Sequence, residues 1–196
     1  MRIAQMNMGY LLYPSGDPRI AEFEGNSDRV NAAADRSKGF VWRLKDAELE
    51  LPDNDYGRLF GRPEVALATL SVWESFEDLA GFVHKTVHGR FLKRRSEWFE
   101  HVDVPSYVIW PVEAGHIPTL VEGKERLMRL REHGPCDEAY DFKYKARGPV
   151  GRAVLDQVTG PQGNGPRLPP RPEFNSWTRV DRYRCVSRCC PTPSAP

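Results

Sequence analysis

Val65-Ala66-Leu67-Ala68-Thr69-Leu70-Ser71-Val72-Trp73-Glu74-Ser75-Phe76-Glu77-Asp78-Leu79-Ala80 changes its hydrophobic period part-way along. Up to Trp73 it is a short apolar, β-prone run that follows a turn signal at Gly61-Arg62-Pro63, and it reads as a strand. From Phe76 the apolar positions recur at helical spacing: Phe76, Leu79, Ala80, Val83 and Val87. Ser75 is a good N-cap, and Glu77 and Asp78 fall in the first turn, where the helix dipole favours acids. The pattern predicts one long helix from Phe76 to about Phe99, with Trp98 on its buried stripe.

Working toward the N-terminus, Phe40-Val41-Trp42-Arg43-Leu44 reads as a second short strand, separated from Val65 by a polar loop. Before it, Asp17-Pro18 starts a helix as N-cap and first helical proline, and Ile20, Phe23, Ser27, Val30 and Ala34 continue it. Gly25-Asn26 weakens that helix in the middle. Arg2 to Leu12 reads as the first strand. Toward the C-terminus, Tyr107-Val108-Ile109-Trp110 is a strand, and Pro118-Thr119 opens a helix bearing Leu120, Leu127, Met128 and Leu130, stopped by Gly134-Pro135. Ala139 to Tyr144 alternates like a last strand. The order is βαββαβ followed by an extra helix and strand: an α+β, ferredoxin-like protomer. Helices on one face of such a sheet leave the other bare, and Trp42, Trp73 and Trp110 are too many aromatics to leave wet. Pairing two sheets face to face, a homodimer, is the physical expectation.

The domain is expected to span residues 1–146. Residues 147–196 hold nine of the seventeen prolines, and eight arginines against three acids. A stretch such as Arg167-Leu168-Pro169-Pro170-Arg171-Pro172 supports neither helix nor central strand, so the segment reads as a largely irregular tail. Cys185, Cys189 and Cys190 cluster there, without the second half of a zinc site. A net charge of +1 gives no argument for nucleic acid or membranes as partners. No apolar run reaches the roughly 20 residues of a membrane span, and no signal-peptide pattern opens the chain, so a cytoplasmic location is expected.

Three blocks carry a resemblance: Asp17-Pro18 through Gly39-Phe40-Val41-Trp42-Arg43-Leu44, Ser71-Val72-Trp73-Glu74-Ser75 through Trp98-Phe99, and Trp110-Pro111 through Gly115-His116-Ile117-Pro118-Thr119. With Gly134-Pro135 they resemble the family called domain of unknown function 3291, over about residues 3–144. The resemblance implies membership of the dimeric α/β-barrel superfamily, with a ferredoxin-like protomer and a sheet-to-sheet dimer. That superfamily includes cofactor-free monooxygenases, cyclases, isomerases and haem proteins.

On a helical wheel His84, His88, Phe91 and Arg95 line one edge of the long helix at i, i+4, i+7 and i+11. Such a column suits a pocket between helix and sheet: histidine for proton transfer, arginine for an oxyanion or carboxylate. Ordinary boundary packing of the same residues is the competing reading. The i, i+4 spacing of His84 and His88 is one that helical zinc sites use, but a shared metal is not expected, because Lys85 stands where a zincin has glutamate and no third ligand is evident. His116, between a strand and a helix, is a candidate for the pocket mouth, with capping of its loop the competing reading. Haem needs one axial histidine, for which His84, His88 and His116 qualify; otherwise no cofactor is expected. Asn7, on the first strand, and Asn31, on the first helix, are amides in apolar settings that either bind a ligand or tie helix to strand. Trp42, Trp73 and Trp98 are candidate pocket walls, and Arg43 and Glu74 a candidate cross-strand ion pair. The expected function is a tailoring enzyme of monooxygenase-, cyclase- or isomerase-like type acting on a mostly apolar small molecule. The alternative is a haem or small-molecule binding protein without turnover.

Overall fold

The computed structural model describes residues 1–45, 48, 49 and 51–146. The expected tail at 147–196, with its cysteines, lies outside the described residues.

Strand β1 (Arg2–Tyr10) leads through a 3-10 turn into α1 (Ala21–Gly25) and α2 (Ser27–Asp35), then β2 (Phe40–Arg43), α3 (Tyr56–Phe60) and β3 (Ala66–Trp73). Helices α4 (Phe76–Lys85) and α5 (Val87–Arg94) follow, then β4 (Tyr107–Val112), α6 (Leu120–His133) and α7 (Phe142–Ala146). The strands form one sheet in the order β2-β3-β1-β4. Every neighbouring pair is antiparallel. This is an α+β chain with a four-stranded antiparallel sheet, compatible with a ferredoxin-like arrangement.

Several local expectations meet the structure well. The Asp17 side chain accepts from Arg19 N at 2.9 Å, and that of Ser75 from Asp78 N at 3.1 Å. The helix after Pro18 does break at Asn26, between α1 and α2. Other expectations need correction. The single helix from Phe76 to Phe99 is two helices divided at Thr86, followed by a 3-10 turn at Arg95–Glu97. Thr86 Oγ1 donates to Phe82 O at 2.7 Å and accepts from His88 N at 3.2 Å, so one hydroxyl ends α4 and caps α5. The polar loop between β2 and β3 contains α3, with Asp55 capping Arg58 N at 2.9 Å. The last strand is a single bridge, Ile109 with Tyr140, and Phe142 onward turns helical. Met128 is exposed, while Leu120, Leu127 and Leu130 are buried.

The two sheet faces differ. Ala4, Met6 and Met8 of β1, Ala68, Leu70 and Val72 of β3, and Val108, Trp110 and Val112 of β4 alternate onto one face and pack under α6. Half-buried Tyr56, Leu59 and Phe60 of α3 join that cluster. The face that was expected to stay bare is therefore closed within the chain, and with it goes the physical argument for a dimer through the sheets. Helix α6 seats closely because Gly123 faces β1: a Cβ there would lie 2.5 Å from Met6 Sδ. Its first three N–H groups are each met, Leu120 N by Asn54 Oδ1 at 3.0 Å, Val121 N by Asp53 O at 3.1 Å and Glu122 N by Thr119 Oγ1 at 3.3 Å. The opposite face, with Ile3, Trp73 and Ile109, packs against α4 through Phe76, Leu79 and Val83, and Ala34 of α2 joins the same cluster. Among the described residues no helix is long and apolar enough to cross a membrane.

Candidate functional site

The face of the sheet that packs against α4 is apolar only at one end. Moving along the strands from Trp73 and Ile3, the next cross-strand row is Arg43, Ser71, Gln5 and Ile109, and the one after is Thr69, Asn7 and Tyr107. Gln5, Asn7, Ser71, Arg43 and Tyr107 are half-buried and Thr69 is exposed, although β1 and β3 are the central strands. On the α6 face the same strands carry Ala4, Met6, Leu70 and Val72 at 0–1% exposure. An antiparallel sheet can leave part of one face to water, and this polar, water-reached stripe is the candidate ligand surface.

Within it Thr69 Oγ1 donates to Asn7 Oδ1 at 2.8 Å. With that oxygen engaged, the Asn7 Nδ2 group is the donor offered to a ligand. At the β3 side Trp73 Nε1 donates to Ser71 Oγ at 3.0 Å. Trp73 stacks on Phe82, ring centroids 5.1 Å apart, and Phe82 meets the His88 ring at 5.0 Å. His88 Nδ1 lies 3.3 Å from Val83 O, so in the neutral ring Nδ1 carries the proton and Nε2 keeps a free lone pair. Burial lowers the pKa of His88, with nearby His84 adding to the effect, against the raising bond to Val83.

His84 turns to the β4 side. Its ring meets Phe142 at 5.3 Å, and Phe142 packs on Tyr107 at 5.8 Å. Its Nε2 is buried and has no hydrogen-bond partner among the described residues, and burial lowers its pKa too. Burial raises the phenol pKa of Tyr107, helped by Asp141 and opposed by its bond from Phe142 N and by the charge of Arg95.

The expected column on one helix edge is thus divided, because the break at Thr86 resets the wheel. His88 packs on Phe82, which stacks on Trp73, while His84 packs on Phe142, which meets Tyr107. Arg95 sits in the 3-10 turn beyond α5, close enough to Tyr107 to act on its charge. Phe91 turns away toward α1 and α2. Asn31 lies one turn before Asp35, whose carboxylate takes Arg43 Nε at 2.9 Å from the row of Ser71, so Asn31 shares the sheet-facing side of α2. Three aromatic candidates are elsewhere. Trp42 pairs in register with Val72 and joins the core under α6. Trp98 is buried with Leu11 and Ile20. Trp73 is fully buried and supports the stripe from its end. His116 Nε2 meets Glu122 Oε2 at 2.7 Å while Glu122 Oε1 accepts from Trp110 Nε1 at 2.8 Å, a tie between the β4–α6 loop and α6. The expected Arg43–Glu74 pair does not form: Arg43 takes Asp35, and Glu74 takes Arg2 at 2.8 Å. Gln5, Thr69, Ser71 and Tyr107 were missed from sequence. For the first three the signal was the alternation of polar residues with core residues along β1 and β3; Tyr107 opens β4 and carried no such signal.

The profile of a family described as a domain of unknown function, number 3291, matches residues 2–154. The chain belongs to this family. Comparison with curated proteins and with solved structures gave no match. The family match runs eight residues past the domain end expected at 146.

Haem fits these residues poorly. His116 is committed to Glu122, His84 Nε2 is buried beside Phe142, and the His88 ring lies against Phe82. Among the described residues no three His, Cys, Asp or Glu side chains gather as a metal site.

Proposed function

We propose that this chain is an enzyme acting on a small carbonyl-bearing molecule held on the α4 face of the sheet, with His88 as the proton acceptor. The observation that supports the reading is the polar stripe itself: Gln5, Asn7, Thr69 and Ser71 lie on the two central strands, next to the part of the face packed by α4, and remain reachable by water. The Asn7 amide offers a donor to a ligand oxygen, and the Tyr107 hydroxyl, kept protonated by burial, offers a second. His88 is neutral near pH 7 with Nε2 unprotonated, the state a general base requires. These groups move protons and polarise a carbonyl, which favours isomerase- or cyclase-like chemistry over oxygenation. The dimeric barrel implied by the resemblance would need α6 to leave the other face; the proposed site is complete within one chain.

The test is a screen of small enones and diketones by nuclear magnetic resonance on the full-length protein. Hits should perturb the amides of Gln5, Asn7, Thr69 and Ser71, and Asn7→Ala should weaken them about tenfold while the fold persists. Hits that perturb only other surfaces, or a screen with no hit, overturn the reading.

A further inference from the structure

Two helical faces meet beside the candidate site without filling the space between them. Glu22, Asn26 and Arg29 recur at i, i+4 and i+7 along α1 and α2. Val87, Arg90, Phe91 and Arg94 recur at i, i+3, i+4 and i+7 along α5. Together they line a groove of about 210 Å³. His88 is one residue round the helix from Val87 and packs on Phe82 instead. The groove is therefore separate from the polar stripe.

Its charges are unevenly settled. Arg94 grips Glu22 at 2.6 and 2.9 Å and Glu97 at 2.8 and 2.7 Å, so both carboxylates at that end are spent on one guanidinium. Arg29 and Arg90 make no hydrogen bond or ion pair among the described residues. Two guanidinium groups thus border one small groove with no carboxylate among the described residues bonded to either. The apolar side chains of Val87 and Phe91 line the same groove, the latter half-buried against Trp98 at a centroid distance of 5.6 Å. Each guanidinium presents a planar fork of donors matched to carboxylate or phosphate oxygens.

We propose that this groove is a binding site for a small aryl anion, a carboxylate or phosphate head on a ring-sized apolar body. The head lies between Arg29 and Arg90, and the body rests on Val87 and Phe91. The groove falls below the roughly 300–1,000 Å³ of drug-sized pockets, which limits the occupant to about one ring and its head. The Glu22–Arg94–Glu97 cluster closes one end and repels a second anion.

Isothermal titration of the full-length protein tests this with phenyl phosphate, benzoate, inorganic phosphate and benzyl alcohol. At least one aryl anion should bind, inorganic phosphate about tenfold more weakly for want of the apolar contact, and benzyl alcohol not measurably. The tighter of phenyl phosphate and benzoate identifies the head group. The double substitution Arg29→Gln and Arg90→Gln should reduce aryl-anion affinity by at least about tenfold, while Lys93→Gln, which removes an exposed charge outside the groove, leaves it unchanged. The proposal is overturned if neither aryl anion binds at millimolar concentration, if benzyl alcohol binds as well as they do, or if the double variant binds them like the parent.

Discussion

At the scale of single residues, the informative side chains are those whose surroundings contradict their chemistry. His84 and His88 are buried enough that the charged imidazolium is disfavoured in the folded chain. Their folded pKa values are below the unfolded value of about 6.5, so the unfolded chain binds more protons as pH falls through that value. Stability should therefore hold above about pH 6.5 and fall below it. Urea unfolding at pH 7.5 and 5.5, a window in which carboxylates stay ionised, should give a lower midpoint at 5.5, and the double substitution His84→Gln, His88→Gln should narrow the difference. An unchanged gap in the double variant would show that neither ring is responsible. The sequence did single out these two histidines, by their place along the edge of an apolar helical stripe, and Asn7, as an amide in an apolar setting. It did not reveal that the histidines diverge, since that depends on Thr86. A threonine is an unremarkable helix residue until its hydroxyl finds the Phe82 carbonyl and the His88 amide together.

At the scale of elements, α6 carries the clearest expectations. Its start at Thr119 was readable from capping chemistry, and its buried face from Leu120, Leu127 and Leu130. Which surface it covers was not, because nothing local distinguishes a helix that returns across the sheet from one that leaves it. The docking depends on Asn54, the one buried polar residue of the described core, and on Gly123. Asn54→Ala removes the acceptor of the Leu120 amide and should cost about 1–2 kcal/mol in chemical denaturation. Gly123→Ala drives a Cβ into Met6, which is fully buried and has little room to shift, and should cost about 1–3 kcal/mol. Neither residue approaches the polar stripe, which lies on the opposite face, so hits from the carbonyl screen should still bind both variants. The expected final strand fails for a comparable reason. Alternation through Tyr140 to Tyr144 suits a strand, but only Tyr140 finds a partner on β4, and the Tyr144 amide is drawn to Asp141 Oδ1 at 2.7 Å to begin a helical turn.

At the scale of the whole molecule, the question is what buries the face carrying Trp42 and Trp110. Counting elements along the sequence leaves that face bare, and a second copy is then the natural cover. The chain instead supplies its own cover: α6 over β1, β3 and β4, with α3 beside it and the Lys124 ammonium of α6 bonded to Leu59 O of α3. Trp110 and Met6 are fully buried with one chain alone. This separates two outcomes for Trp42→Ala. If the face is internal, the substitution lowers stability by about 2–3 kcal/mol, below the range for a fully buried tryptophan because Trp42 is only half-buried, and leaves the sedimentation coefficient as in the parent. If the face is a subunit interface, the loss appears as dissociation that deepens on dilution, with stability dependent on protein concentration. The packing under α6 favours the first outcome. Sedimentation velocity at two concentrations a hundredfold apart, paired with denaturation at both, distinguishes them, since only an interface ties unfolding to concentration.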